Sequence, residues 1–191
     1  MVKTPDGEIP FEYLSSGYRA VMYIILGIIK EVEYRDLGVS ARGFDGVVLL
    51  DEVELHLHPE WQRRVLGVIR AVFPKIQLIV TTHSPHVVQS ATPNQLIVLS
   101  RDQNGQSIPA TVPQSDYGFQ GWTIEEILTD VMRLSSTQSD LYNNTLKKFE
   151  DALDREDAPE LRAALEILNA MLHPRNPVGK LLRLQAAPVL A

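Results

Sequence analysis

The chain has 191 residues, enough for one domain or one large lobe that buries about 70% of its unfolded surface, and its 45% hydrophobic and 22% charged residues exclude a disordered chain. Eighteen Lys and Arg against 24 Asp and Glu give a net charge of −6, which argues against a globally basic nucleic-acid binder. Cysteine is absent, so there is neither a disulfide framework nor a cysteine metal site, and the longest apolar stretch, Ala20 to Ile29, falls far short of the roughly 20 residues a membrane span needs; a cytoplasmic location with no membrane partner is expected.

Pro5-Asp6-Gly7 reads as a turn within a first segment, residues 1–13, whose polar and apolar mix suits an edge strand. Leu14-Ser15-Ser16-Gly17 then precedes a helix predicted over Tyr18 to Tyr34, in which Val21, Met22, Ile25, Ile28, Ile29 and Val32 recur at helical spacing. Ile24 and Leu26 widen that stripe, so the helix is expected to be largely buried. A Ser before such a run is an ordinary N-cap. Two Ser hydroxyls, the Gly17 backbone and a helix N-terminus also suit an anion.

Gly46 to Pro59, GVVLLDEVELHLHP, organises the rest of the chain. Val47 to Leu50 is the uninterrupted apolar run of a parallel strand covered on both faces, and it stops at two adjacent carboxylates, Asp51 and Glu52. Ligands of open α/β sheets bind at the carboxyl ends of strands. Neighbouring acids there repel unless a cation or proton relieves them, which a hydrated magnesium ion does. The pattern has the Walker B form, in which the first acid orients the metal shell and the second polarises water.

The chain next turns at Leu55 to His58, and Pro59 and Glu60 open a helix whose face is Trp61, Val65, Val68 and Val72. Pro74 ends it. Ile76 to Val80 is the next buried strand, giving a right-handed parallel crossover, and it runs into Thr81-Thr82-His83-Ser84-Pro85, so His83 falls at the sheet edge where the acids end. Gln95 to Leu99 and Ser107 to Val112 are predicted to pair as a hairpin through Asn104-Gly105. From Thr123 the pattern is helical only. Ile124, Ile127, Leu128 and Val131 mark a short helix, and the stripes Tyr142, Leu146, Phe149, Leu153 and Leu161, Leu165, Leu168, Leu172 predict an antiparallel pair across the acidic turn Asp154 to Glu160.

Three signals thus stand in order: Leu14 to Gly17 before a buried helix, Val47 to Glu52, and Thr81 to Pro85. Together they resemble the signature motif, Walker B strand and switch histidine of the ABC-type ATPases. DEVELHLHP followed by VTTHSP is more narrowly similar to prokaryotic AAA-family ATPases related to the overcoming-lysogenization-defect and RecF or SMC-type proteins. The resemblance covers residues 14–99. It implies an α/β fold, the C-terminal part of a P-loop NTPase domain with a mostly parallel sheet flanked by helices, spanning 1–122, and a helical extension over 123–191. It implies ATP and Mg²⁺ as cofactors, with Ser15, Ser16 and Gly17 contacting the phosphate of nucleotide held by the opposite subunit of a homodimer. By the same resemblance Asp51 is expected to support magnesium through water, Glu52 to be the catalytic base, His83 to contact the terminal phosphate, and Leu55, His56, Leu57 and His58 to form the loop that meets the partner. Ser16, Tyr18 and Val53 depart from the family's usual Gly, Gln and Pro.

A phosphate-cradling loop needs Gly, four residues, then Gly-Lys-Ser or Gly-Lys-Thr. Here the lone Gly-Lys is Gly179-Lys180, followed by Leu181, with Pro174 where the first Gly belongs. The expectation is therefore a lobe of a longer or split ATPase whose P-loop comes from an N-terminal lobe, with DNA or an effector nuclease as further partners and DNA repair, chromosome maintenance or phage defence as the process. Two other readings stay open. One is a non-catalytic binding or regulatory module. The other is a metal-dependent nuclease using Asp51, Glu52, Glu54, His56 and His58, against which Pro59 makes a turn of a segment that would need to be a strand.

Overall fold

The computed structural model describes residues 1–4, 7–36, 38–113 and 115–190, so Pro5 and Asp6 of the expected first turn lie outside the described residues. The chain divides into two compact units, Met1–Leu134 and Ser135–Ala191. The boundary falls twelve residues later than the expected 122/123, because the segment after Thr123 packs with the first unit: Ile127 and Val131 join Val88 and Phe119 in a buried cluster.

The first unit begins with a short antiparallel hairpin, β1 (Val2–Thr4) with β2 (Gly7–Ile9). Helix α1 runs Ser16–Tyr34, capped by Ser15, whose hydroxyl accepts the Tyr18 N–H at 3.4 Å. Its buried face is Gly17, Val21, Ile28 and Val32, with Ile24, Ile25 and Ile29 partly covered. Leu26 and Tyr23 face solvent, so the helix buries one side rather than most of its surface.

Strand β3 (Val47–Leu50) pairs in parallel with β4 (Gln77–Val80), with Val47 opposite Gln77 and Leu50 opposite Val80. Two short helices connect them, α2 (Pro59–Gln62) and α3 (Val65–Val72), where one helix was expected. Because the chain breaks at Arg63–Arg64, the face that enters the core is Val65, Leu66 and Ile69 followed by Phe73, while Val68 and Val72 are only partly buried.

The parallel pair is not covered on both sides, contrary to the sequence reading. Val48, Leu50, Leu78 and Val80 pack on the core formed with α1 and α3, but Leu49 is 72% exposed, Val47 55% and Ile79 49%. Parallel pairing is also confined to β3 and β4 among the described residues. β5 (Val98–Arg101) and β6 (Ser107–Ala110) form the expected antiparallel hairpin, shifted three residues toward the turn at the β5 start, with Gly105 at φ +77° and Asp102 Oδ1 accepting the amides of Asn104 and Gln106. Helix α4 (Pro85–Ser90) is capped by the buried Ser84. Helix α5 (Ile124–Glu126) opens with a Thr123–Glu126 capping box and widens into a π-turn over Ile127–Val131. The two hydrogen bonds from Thr123, backbone first, hold the Glu126 carboxyl below the usual carboxylate range.

The second unit is helical: α6 (Asp140–Asp154), α7 (Ala158–Met171) and α8 (Val178–Leu190). The predicted stripes meet as drawn. Phe149 and Ala152 face Leu161, Ala164 and Leu168, and α8 adds Leu182 and Ala186. Within the acidic turn, Asp157 caps α7 and Arg155 reaches Glu160 at 2.9 Å.

Candidate functional site at the carboxyl ends of the parallel pair

The parallel register sets the site. Leu50 lies opposite Val80, so the next residues on each strand, Asp51 and Thr81, emerge side by side. The Thr81 hydroxyl donates to Asp51 Oδ1 and accepts the Glu52 N–H at 2.8 Å. Thr81 N–H donates to Leu50 O at 3.0 Å, and Thr81 O accepts Val53 N–H at 3.2 Å. One threonine thereby joins both members of the acid pair to the neighbouring strand end. Glu52 itself takes φ +47°, a left-handed conformation uncommon for a residue with a side chain, and its carboxylate is exposed.

Glu54 makes the second link. Its Oε2 accepts the Thr82 hydroxyl at 2.6 Å and its Oε1 accepts the His83 N–H at 2.6 Å, which fixes the backbone that carries His83 while the imidazole stays exposed. Gln62 makes the third: Ser84 Oγ donates to Gln62 Oε1 at 2.6 Å, and Gln62 Nε2 donates to Leu57 O at 2.8 Å. The loop after the acids is thus tied to the loop after β4. Asp51, Glu52 and His83 all line one cleft of about 780 Å³ that continues along β4.

Within the loop Leu55–His58 the four residues divide. Leu55, His56 and His58 face solvent, whereas Leu57 is buried in the core and takes no part in an outer surface. His58 caps α2, its Nδ1 accepting the Glu60 N–H at 3.4 Å. His56 takes φ +62°.

Ser15, Ser16 and Gly17 do not line the cleft of Asp51 and Glu52. Ser15 and Ser16 are exposed, and Gly17 is buried against α2. A Cβ at Gly17 would stand 2.8 Å from Trp61 Cδ1, and the Tyr18 ring meets Trp61 edge-on at 4.6 Å between centroids. Helix α1 can approach Trp61 only with a glycine there. Gly17 therefore has a packing reason to be glycine beside any contact with phosphate.

Sequence reasoning missed Thr81, Glu54 and Gln62 as the residues that join the motifs. The signal for Thr81 was the parallel register, which places the residue after Val80 beside the residue after Leu50. For Glu54 and Gln62 none was available, since the partners they reach on the loop after β4 lie 22 or more positions away. Among the described residues no group of three or more His, Cys, Asp or Glu side chains converges to hold a metal ion, and the five residues of the nuclease reading point different ways: Glu54 to Thr82 and His83, His58 to its helix. Asp51, pinned by a hydroxyl at an exposed strand end, fits a partly hydrated ion whose other ligands are water and phosphate oxygens. No helix among the described residues is long and apolar enough to cross a membrane.

Residues 2–89 match the family described as "AAA domain, putative AbiEii toxin, Type IV TA system". The chain is 48% identical over 190 residues to the Septu protein PtuA of Bacillus thuringiensis, covering 98% of this chain and 48% of that protein. It is 31% identical over 159 residues to the "Retron Ec83 probable ATPase" of Escherichia coli, covering 80% of this chain and 28% of that one, and 31% identical over 177 residues to the Septu protein PtuA of Bacillus mycoides (strain KBAB4), covering 91% and 24%. The chain thus spans about half the length of the first of these relatives and about a quarter of the other two. The matched stretch and the relatives make this chain similar to prokaryotic proteins with an AAA domain, one of them named a probable ATPase.

Proposed function

We propose that this chain is one lobe of an ATPase whose site is composite: Asp51, Glu52 and His83 come from this lobe, and a P-loop comes from an N-terminal lobe of the same or a partner chain. The observation that carries the reading is the Thr81 and Glu54 bridging, which holds two acids and a histidine at the carboxyl ends of two parallel strands. Glu52, exposed and set apart from Asp51 by its left-handed backbone, is the base that orients and deprotonates water. Asp51 holds the magnesium shell, and when bound the ion supplies charge neutralisation to the phosphate oxygens. His83 donates to the terminal phosphate. Ser15 and Ser16, exposed at the start of α1, reach the nucleotide of a second copy, with Gly17 bringing the helix into position, and Leu55, His56 and His58 form the outward part of the loop that meets that copy. Ser15 to Gly17 lying outside the cleft supports an action across a dimer rather than within one copy.

The relatives' names lead us to propose phage defence as the process, with an effector nuclease or DNA as the downstream partner. The helical unit, residues 135–191, serves as an extension for that partner. A catalytically silent binding module is the weaker reading, because Asp51, Glu52 and His83 line one cleft together, an arrangement of charge that a purely structural module has no need of.

The test is ATP turnover by the assembled protein. Glu52→Gln keeps the size and hydrogen bonding of the side chain but removes its charge, and is expected to lower turnover by roughly 10²-fold or more while leaving nucleotide binding intact. Turnover at the parent rate removes Glu52 from the reaction.

A further inference from the structure

Two side chains hold the backbone around the His83 imidazole, and both come from the segment that follows the acids. Glu54 Oε1 accepts the His83 N–H itself at 2.6 Å. One residue on, the Ser84 hydroxyl donates to Gln62 Oε1 at 2.6 Å. Glu54 and Gln62 bracket the outer loop Leu55–His58, the first lying immediately before it and the second at the end of α2, the short helix that follows it.

The Gln62 amide has one orientation that serves. Ser84 is buried and caps α4, its oxygen accepting the His86 N–H at 3.2 Å and the Val87 N–H at 3.3 Å. Both lone pairs of that hydroxyl are in use, its proton is what remains to give, and the amide oxygen must face it. Leu57 O only accepts, so the amide nitrogen must face Leu57, as it does at 2.8 Å. Leu57 is the buried member of the loop, with Leu55, His56 and His58 exposed on either side of it. A push on those exposed residues is carried inward at Leu57, whose carbonyl shares one amide with the residue after His83. Arg63, next in sequence to Gln62, reaches Gln89 Oε1 at 2.5 Å, so α4 is held to this segment near both of its ends.

The geometry points to Gln62 as a positioning residue for His83: its single amide ties the outer loop to the backbone that carries the imidazole, so the placement of His83 follows the loop. This rests on the composite-site reading, in which His83 serves the reaction and the loop meets a second copy. The second copy then helps to set the histidine without touching it.

Two variants test this in the assembled protein. Gln62→Met keeps the length of the side chain and removes both bonds. Gln62→Glu keeps the acceptor for Ser84 but turns a second carboxylate oxygen toward Leu57 O, which cuts the loop end alone. Both are expected to lower kcat about tenfold with KM within about twofold, a loss that one or two hydrogen bonds of ordinary strength account for. In a His83→Ala background neither should lower kcat further, because the residue they position is gone. Hydrogen exchange gives an answer that does not pass through ATP: the His83 amide should exchange several-fold faster in both variants, although its own acceptor is Glu54, while the His86 and Val87 amides of the α4 cap keep the parent rate in Gln62→Glu. The assignment of Gln62 is overturned if either variant hydrolyses ATP at the parent rate, if the losses add to that of His83→Ala, or if Gln62→Glu loses the α4 cap together with turnover, which would leave Gln62 a role in stability alone. An inactive parent assembly in which the variants still speed His83 exchange sinks the ATPase reading and keeps the coupling. Parent-like exchange at His83 in both variants sinks the coupling, whether or not the parent turns over ATP.

Discussion

Glu54 Oε1 accepts the His83 amide at 2.6 Å, across 29 positions of sequence. The same carboxylate takes the Thr82 hydroxyl, so a residue outside the acid pair sets where the switch-like histidine begins. Glu54→Ala is expected to destabilise the first unit by about 1–2 kcal/mol, less than two charge-assisted bonds would give in a dry interior because the site is half open to water. Urea unfolding measures that. In the assembled protein the variant should lower kcat more than it raises KM, and Glu54→Gln, which keeps one acceptor, should recover part of the loss. Equal effects of the two variants would show that the carboxylate does not position His83.

Ser15→Arg and His83→Ala separate the two sides of the proposed site. Arginine at the exposed Ser15 is expected to block the nucleotide-held dimer while leaving ATP binding within each copy nearly intact, read as particle mass and as binding affinity. His83→Ala should slow turnover with little change in affinity. A Ser15→Arg protein that still dimerises on ATP would place the signature segment outside the interface.

The open face of the parallel pair reverses what burial of the strand would predict. Leu49→Asp should change the stability of the 191-residue chain by no more than about 1 kcal/mol, because the carboxylate enters water. Ile69→Ala, at a fully buried position, should cost about 2–5 kcal/mol. Thermal melts of the two variants decide it. A collapse caused by Leu49→Asp alone would mean that this face is covered in solution.

Gly17→Ala tests the approach of α1 to Trp61. With the new Cβ 2.8 Å from Trp61 Cδ1, the indole or the helix must shift, at about 1–3 kcal/mol. Trp61→Leu in the same background should return part of the loss, which a double-mutant cycle measures as coupling between the two positions. Strictly additive losses would show that the indole is not the obstacle.

The parts of this fold that could be read from sequence are those carried by a local period or a turn residue. The stripe from Tyr142 to Leu153, that from Leu161 to Leu172 and the Asn104-Gly105 turn all found their partners. The strand order through Val47 to Leu50 and the residues after Pro74 was equally legible, because apolar runs separated by a helix leave a parallel crossover as the connection. What failed was coverage. An apolar run such as VVLL states that both faces avoid water, but not whether this chain supplies the cover, and Leu49 shows that on one face it does not. The helix after Pro59 breaks at Arg63–Arg64 although Trp61, Val65 and Ile69 all pack on one core cluster, and neither Gly nor Pro marks the break in the sequence. At the site, Asp51, Glu52 and His83 were legible from their place at strand ends, whereas Thr81, Glu54 and Gln62, which join them, act through long-range hydrogen bonds that leave no local pattern.

Glu52 holds φ +47°, a conformation that glycine or asparagine adopts at less cost. The position is therefore under two opposed pressures. Glu52→Gly or Glu52→Asn would relieve backbone strain and make the folded chain more robust, while removing the only group that the proposed chemistry needs at that spot. A lineage released from the need to hydrolyse nucleotide would be expected to drift there early, so the residue at this one position serves as a readable mark of whether a related chain is still a working machine or a retired one.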